Sequence, residues 1–372
     1  MANTITIDAL RQELWSADLL DDVMRDVENI MRFAGEDQNN VVQINRNLMK
    51  QKGDTETFGL VARLSGFGVT GDDELEGNEE SMSSFSEQVL IDQIRNAVRL
   101  KGKLDAQKVV YDQIKSAREN LRVWMKEFLA QQLFLKLAGV TNTTLTDVNG
   151  VVVGTRALWS NTPDFIPDAD EAYTGSRLRY MNAGGVSTAS LTTAHKMTLD
   201  VVTDAATMAT LANPKIQKLS GDGEDFYVMY LHPLSARDIR KSSDWKTAQE
   251  QAKVRAETNP VFRGALGYWS NVLLLENEFV PYLQTSGAAA AGNSFRGAAT
   301  GTDCAVNVAR NLLCGRQAVL MAEASNPDAL VVEQFDYKNK DGVAGNFIGG
   351  CQKPLFNSKE FGVIAVDAAA AI

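Results

Sequence analysis

Two histidines, three cysteines and one dense run of carboxylates are the residues of this 372-residue chain whose types could do chemistry. A histidine acting as general base must lie within hydrogen-bond reach of the group it activates. His195 falls in a stretch expected to be helical, Leu191 to Leu211, and His232 ends an apolar run just before Pro233. Neither accompanies a Gly-x-Ser-x-Gly elbow or a His-Glu-x-x-His helix, and no phosphate loop with its lysine occurs. Gly264-Ala265-Leu266-Gly267 lacks the spacing and the Lys that would cradle a phosphate. Both histidines are therefore expected to be structural. Cys304, Cys314 and Cys351 are an odd count without paired spacing, which suits a reducing compartment and small buried side chains. Zinc would want Cys and His clustered, and these are scattered. The carboxylates Asp72, Asp73, Glu74, Glu76, Glu79 and Glu80 could offer oxygen to Ca²⁺, but lack the alternating ligand spacing of a Ca²⁺ loop. Asp336 to Gly342 matches it no better. Paired carboxylates for glycosidic cleavage have no specific support. No catalytic residue, metal or cofactor is expected, and the acidic run reads as a solvated or partner-facing surface.

The charge balance narrows the choice further. With 37 Lys and Arg against 47 Asp and Glu, the formal net charge is −10. Proteins that grip nucleic acid by counterion release need a basic face, so phosphate binding is not the main business of this chain. At 44% hydrophobic and 23% charged the composition is that of an ordinary globular protein, large enough for two or three domains. No run approaches the roughly 18 apolar residues that would cross a membrane. Met1 to Asp8 carries neither a basic segment nor an apolar core, so it does not read as a secretory signal.

Elements must position that acidic run. Thr55 to Leu64 alternates, with Phe58, Leu60, Ala62 and Leu64 on one side, the period of a half-buried strand. A glycine-rich turn, Gly66 to Gly71, leads into the acidic tip, and Phe85 to Leu100 is expected to return alongside the first strand. No Lys or Arg occurs from Ser65 to Ile94, after which the sign reverses with Arg95, Arg99, Lys101, Lys103 and Lys108. An isolated two-stranded hairpin is marginal in water, so the arm should rest on another surface, read here as a second copy of the chain. Next, Val110, Ile114, Ala117, Leu121, Trp124 and Phe128 form a helical stripe, widened by Met125, Leu129, Leu133 and Leu137. The spacing predicts one helix over 105–138, capped by Asp105 and ended by Gly139, a rod of roughly 50 Å.

Around these two elements the chain is mixed. Leu10 to Ile30 has helical spacing, and Gly35 to Gly53 is polar and turn-rich. Residues 140–190 read as an inserted loop region with a short strand candidate at Gly150 to Val153, and Ser286 to Gly301 as a low-complexity loop. Strands are expected at Phe226 to Leu231, Val272 to Leu275, Val306 to Cys314, Ala329 to Phe335, Phe347 to Ile348 and Gly362 to Val366, with helices near Leu234 to Lys241 and Trp245 to Lys253. Without strict strand–helix alternation the class is α+β.

Several strings carry a likeness. They are Gly53-Asp54-Thr55-Glu56-Thr57-Phe58, Gly68-Val69-Thr70-Gly71-Asp72, Leu75 to Glu80, Ile91 to Arg99, His232-Pro233, Asp244-Trp245, Asn259 to Gly267, Asp336-Tyr337 and Phe361 to Asp367. Together they resemble the major capsid proteins of tailed bacteriophages, more narrowly the podovirus-type family with the Hong Kong 97-like fold. The resemblance implies an N-terminal arm (1–53), an extended β-hairpin loop (54–101) and a peripheral domain with spine helix and inserted loops (102–190). It also implies an axial domain, mostly 191–330, and return strands (331–372) mainly in the peripheral domain. It implies a non-catalytic protein whose copies close, through hexamers and pentamers, into an icosahedral shell around phage double-stranded DNA, assembled in the bacterial cytoplasm. Portal and scaffolding proteins, and a decoration protein, are the partners it suggests, with weak non-specific contact to packaged DNA. Expected contacts between copies run from Asp72, Asp73, Glu74, Glu76, Glu79 and Glu80 to Arg95, Arg99, Lys101 and Lys103. An encapsulin-like compartment shell would share the fold and differ in its cargo. An α+β enzyme would instead show a polar-lined pocket and a small oligomer.

Overall fold

The computed structural model describes residues 30–49, 52–61, 68–71, 74–82, 84–108, 112–138, 142–146, 152–157, 180–183, 191–212, 215–221, 224–252, 265–283, 306–324, 330–356, 359–360 and 362–370. In chain order the strands are β1 Ala34–Gly35, β2 Val42–Asn45, β3 Thr55–Val61, β4 Ser84–Leu90, β5 Asp92–Arg99, β6 Asn142–Thr146, β7 Val152–Ala157, β8 Tyr180–Asn182, β9 Leu219–Gly221 and β10 Glu224–Leu231. They continue as β11 Ala265–Trp269, β12 Val272–Glu276, β13 Tyr282–Leu283, β14 Val308–Cys314, β15 Val319–Glu323, β16 Leu330–Phe335, β17 Lys340–Gln352, β18 Leu355–Phe356, β19 Lys359–Glu360 and β20 Val363–Ala369. The helices are α1 Lys103–Lys108, α2 Gln113–Leu137, α3 Leu199–Leu211, α4 Pro233–Lys241 and α5 Ser243–Ala252.

Two mixed sheets organise these elements. One runs β11-β12-β10-β14-β20-β8, with β9 on β10 and β13 on β14. Its inner strands are apolar at nearly every position because both faces are covered. Val228 and Tyr230 of β10 face one cluster with Leu273, Leu275, Leu312 and the spine helix. Tyr227, Met229 and Leu231 face a second cluster with α3 and Ile239 of α4. The period-2 geometry of a strand thus sorts one continuous apolar run into two cores. The other sheet runs β1-β2-β15-β17-β16, and β5 adds to the free edge of β17. The chain passes between sheets at Gly315, whose amide donates to Gly362 O at 2.8 Å. A Cβ on Gly315 would run into the Gln217 carbonyl and the Ile216 side chain.

The spine helix is shorter than its apolar stripe suggests. Asp112, not Asp105, is its N-cap: the backbone there is extended and the carboxylate accepts from the amides of Ile114 (3.0 Å) and Lys115 (3.2 Å). Two captured donors outcompete helix continuation, so Asp105 lies in the separate short helix α1. The 25 residues of α2 span about 37 Å. Its first half, through Ala117 and Leu121, rests on Leu330 and Val343 of the six-stranded sheet. From Phe128 onward nearly every side chain is buried between the two sheets, as the widening stripe predicts. The predicted terminator Gly139 lies outside the described residues.

A buried ion pair ties the spine to the larger sheet. Arg310 and Asp367 are register partners on β14 and β20. Arg310 Nε donates to Asp367 Oδ1 at 2.9 Å and Nη2 to Oδ2 at 3.0 Å. Its Nη1 donates to the carbonyl of Ala138, the C-cap of α2, at 3.4 Å.

Three further expectations change. Only Ser84–Leu90 returns alongside the first strand; after Ile91 the chain leaves the hairpin and Asp92–Arg99 pairs with Gly342–Gly349 of β17. The polar stretch after Gly35 is not all turn, because Val42–Asn45 is a parallel strand between β1 and β15 with Val42 and Ile44 facing inward. His195 is not helical: α3 begins after its N-cap Thr198, and His195 Nδ1 accepts from the Thr192 amide at 3.1 Å in a preceding turn. The helical reading of residues 10–29, the low-complexity loop 286–301, Cys304 and most of 140–190 lie outside the described residues. Cys314 and Cys351 are both buried.

Candidate assembly surface

The β3–β4 hairpin is anchored at its root and exposed beyond it. Register runs from Thr55 opposite Leu90 to Val61 opposite Ser84. Alternation gives one inward face, where Phe58 and Val89 pack on Leu320 and Ala322 of β15. Glu56, only 8% exposed, accepts from Asn45 Nδ2 at 2.5 Å and Asn47 Nδ2 at 3.0 Å. Gln352 Nε2 donates to Glu87 Oε1 at 2.8 Å, and the Ile91 amide to Asp54 O at 3.0 Å. Root and core are therefore one unit.

Past the paired strands the acidic tip keeps its own local order. The Asn78 amide donates to Leu75 O at 3.0 Å, Gly77 sits at φ +91°, and Glu79 Oε2 accepts from the Gly77 amide at 2.7 Å. A side chain at Gly77 would be strained, since L-residues rarely adopt that backbone. Glu74, Glu76, Glu79 and Glu80 are all exposed, while Asp72 and Asp73 lie outside the described residues.

The basic residues gather elsewhere. Burial alternates along β5, so Ile94 and Val98 face inward while Arg95 and Arg99 point out. The Arg99 guanidinium lies 4.5 Å above the Phe335 ring, a cation–π contact. Lys101 and Lys103 follow, both exposed, across Gly102. The Lys103 amide donates to Asn339 O at 3.1 Å, which seats the start of α1 against the β16–β17 turn. Among the described residues, no carboxylate lies within ion-pair distance of Arg95, Arg99, Lys101 or Lys103. Among the described residues, no ion pair joins the acidic tip to the basic cluster within one copy.

The turn beside that cluster went unread in the sequence. Asp336, Tyr337 and Lys338 have φ of +54°, +52° and +69°, three consecutive non-glycine residues in the left-handed region. The Asn339 amide to Asp336 O (3.0 Å) and the Lys340–Asp336 ion pair (3.4 Å) close it. Asp336 and Asn339 at the two ends of a four-residue connection between strands were the available signal.

Each histidine accepts from a backbone amide through its Nδ1. His232 Nδ1 accepts from the Leu234 amide at 3.2 Å, capping α4, and the ring stacks on Tyr282 with centroids 5.1 Å apart. Burial lowers its pKa to about 4. Among the described residues no His, Cys, Asp and Glu converge to hold a metal, and no helix is long and apolar enough to cross a membrane.

Known proteins resemble this chain over nearly its whole length. The curated major capsid protein of Pseudomonas phage KPP25 is 30% identical over 358 residues, covering 93% of this chain and 92% of that protein. The capsid of Ralstonia phage GP4 superposes with a TM-score of 0.72 at 28% identity, covering 92% of this chain and 90% of its own. The capsid of cyanophage Pam1 shares the fold, with a TM-score of 0.69 at 22% identity over 91% of each chain. The fold is Hong Kong 97-like. Residues 3–372 match the family described as phage capsid protein, and the chain belongs to that family.

Proposed function

We propose that the chain is a phage major capsid protein whose copies close into an icosahedral shell around the genome. One observation carries the reading: a member of the phage capsid family holds out a hairpin that is rooted in its core, exposed beyond it, and acidic at its tip. Copies meet in hexamers and pentamers, and the hairpin lies across an adjacent subunit. In that shell residues 1–53 serve as an arm, 54–101 as the extended loop, 102–190 as the peripheral domain with the spine, 191–330 mostly as the axial domain, and 331–372 as return strands. The role is structural, not catalytic. Assembly takes place in the host cytoplasm with a portal and a separate scaffolding protein, with or without a decoration protein. A chain of net charge −10 lines the genome with few phosphate contacts, which lets DNA move during packaging and ejection.

The tip and the basic cluster supply the register. Charge complementarity suppresses wrong pairings more than it adds affinity. Glu76→Gln, Glu79→Gln and Glu80→Gln together should therefore impair shell closure while leaving circular dichroism and the melting transition unchanged. Normal shells from this variant would sink the electrostatic part. The whole reading is tested by electron microscopy and light scattering of the protein, alone and expressed with the neighbouring head genes. Uniform closed particles are expected, and their content separates genome from protein cargo. A protein that stays monomeric, or forms one small fixed oligomer, in both settings refutes the shell.

A further inference from the structure

Among the places where large apolar side chains are exposed, two carry opposite charge. At the tip, Leu75 is 60% and Met82 72% exposed, flanked by Glu74, Glu76, Glu79 and Glu80. At the far end of the six-stranded sheet, Leu104 is 72% and Tyr337 104% exposed. The two are neighbours, since the Lys103 amide bonds to Asn339 O. Around them stand Arg99, Lys101, Lys103 and Lys338, none with a carboxylate at ion-pair distance among the described residues. The backbone under Tyr337 is left-handed for three residues in a row and is held by the Asp336–Asn339 bond and the Lys340–Asp336 pair. A chain that strains its backbone to hold an aromatic ring fully in water gains nothing from it in the isolated molecule. Strain of this kind persists where a contact uses it.

We propose that the Tyr337 turn with Leu104 is the apolar anchor of a contact between copies, and that its occupant is the 74–82 segment of a second copy's hairpin. The match is twofold. Four glutamates meet four cations, and Leu75 and Met82 meet Tyr337 and Leu104, with a thioether against an aromatic ring as a favourable pair. Tyrosine gives large rigid contact area with few rotatable bonds, which is why it recurs at binding hot spots. The basic residues steer the tip; the aromatic turn holds it. This inference rests on the shell reading above and adds residues to it that charge alone does not single out.

The test is site-specific cross-linking in assembled particles. Chains carrying Leu75→Cys and chains carrying Tyr337→Cys are co-assembled with wild-type chain in excess, so that closure does not depend on either variant. The particles are treated with a short bismaleimide and run on a denaturing gel. The expected result is a dimer band that needs both variants and is absent from wild-type particles and from particles holding either variant alone. The Leu75→Cys and Leu104→Cys combination, which leaves the turn intact, should give the same band. Closed particles without a cross-link in either combination overturn the inference and leave the shell reading standing. Failure of wild-type chain to form particles refutes the shell reading itself, and the proposed contact with it.

Discussion

Removing one charge from the Arg310–Asp367 pair should be among the costliest conservative changes in the chain. Arg310 is 3% and Asp367 0% exposed, and two parallel hydrogen bonds join them across the β14–β20 ladder. Asp367→Asn keeps the shape and one acceptor but strands a guanidinium between two sheets. Breaking a buried pair from one side costs about 3–5 kcal/mol, because the remaining charge has lost its partner and cannot reach water. An exposed pair makes the contrast: Glu276→Gln removes the partner of half-exposed Arg240 and should cost less than about 1 kcal/mol. Replacing both members, as Arg310→Met with Asp367→Leu, removes the stranded charge and should recover most of the loss. What stays lost is about 1 kcal/mol from the missing bond to Ala138 O. Urea unfolding of unassembled protein, followed by circular dichroism, reads all four proteins. A cost below about 1 kcal/mol for Asp367→Asn, or a double variant no more stable than Asp367→Asn, would refute the reasoning.

Two more outcomes follow from the geometry. Folding holds His232 at about 4 against 6.5 for free imidazole, so the unfolded chain binds the extra proton between those values. Stability from this residue is complete above pH 6.5 and is lost as pH falls toward 4; His232→Asn, which keeps a capping acceptor, should flatten that part of the pH profile, and an unchanged slope would count against the buried neutral ring. Phe58→Ala empties the hairpin root and should cost about 3 kcal/mol locally, raising amide exchange in β3 and β4 about 100-fold with β10 unaffected; unchanged exchange there would mean that the root is held by polar contacts alone.

Elements with a strong period were legible. The alternation around Phe58 placed β3, the stripe from Ala117 to Leu137 placed the buried face of the spine, and the apolar run at Phe226 placed β10. Boundaries set by the bonds of one side chain were not: Asp105 and Asp112 look alike in sequence, and only the two amides that Asp112 reaches distinguish them. Strand β2 escaped because four residues give too little alternation to read, and its partners β1 and β15 lie far apart in the chain. The turn from hairpin to sheet at Ile91 was invisible for a different reason. Residues on both sides of it are extended and alternating, so nothing local marks where one partner strand is exchanged for another. The acidic tip and the basic cluster were legible as charge, and the aromatic turn beside the cluster was not, because strain and exposure are properties of the backbone path.

That exchange at Ile91 also defines a load path. Hairpin strand β4 and sheet strand β5 are separated by one residue, so tension on the arm reaches β5 without slack. There it meets register pairs from Asp92 opposite Gly349 to Arg99 opposite Gly342. A pull along the strand axis loads these bonds in shear, side by side, so they resist together instead of opening one after another. The arm is in effect a strap sewn into the longest of the described strands, so a pull on the hairpin is carried by the sheet as a whole.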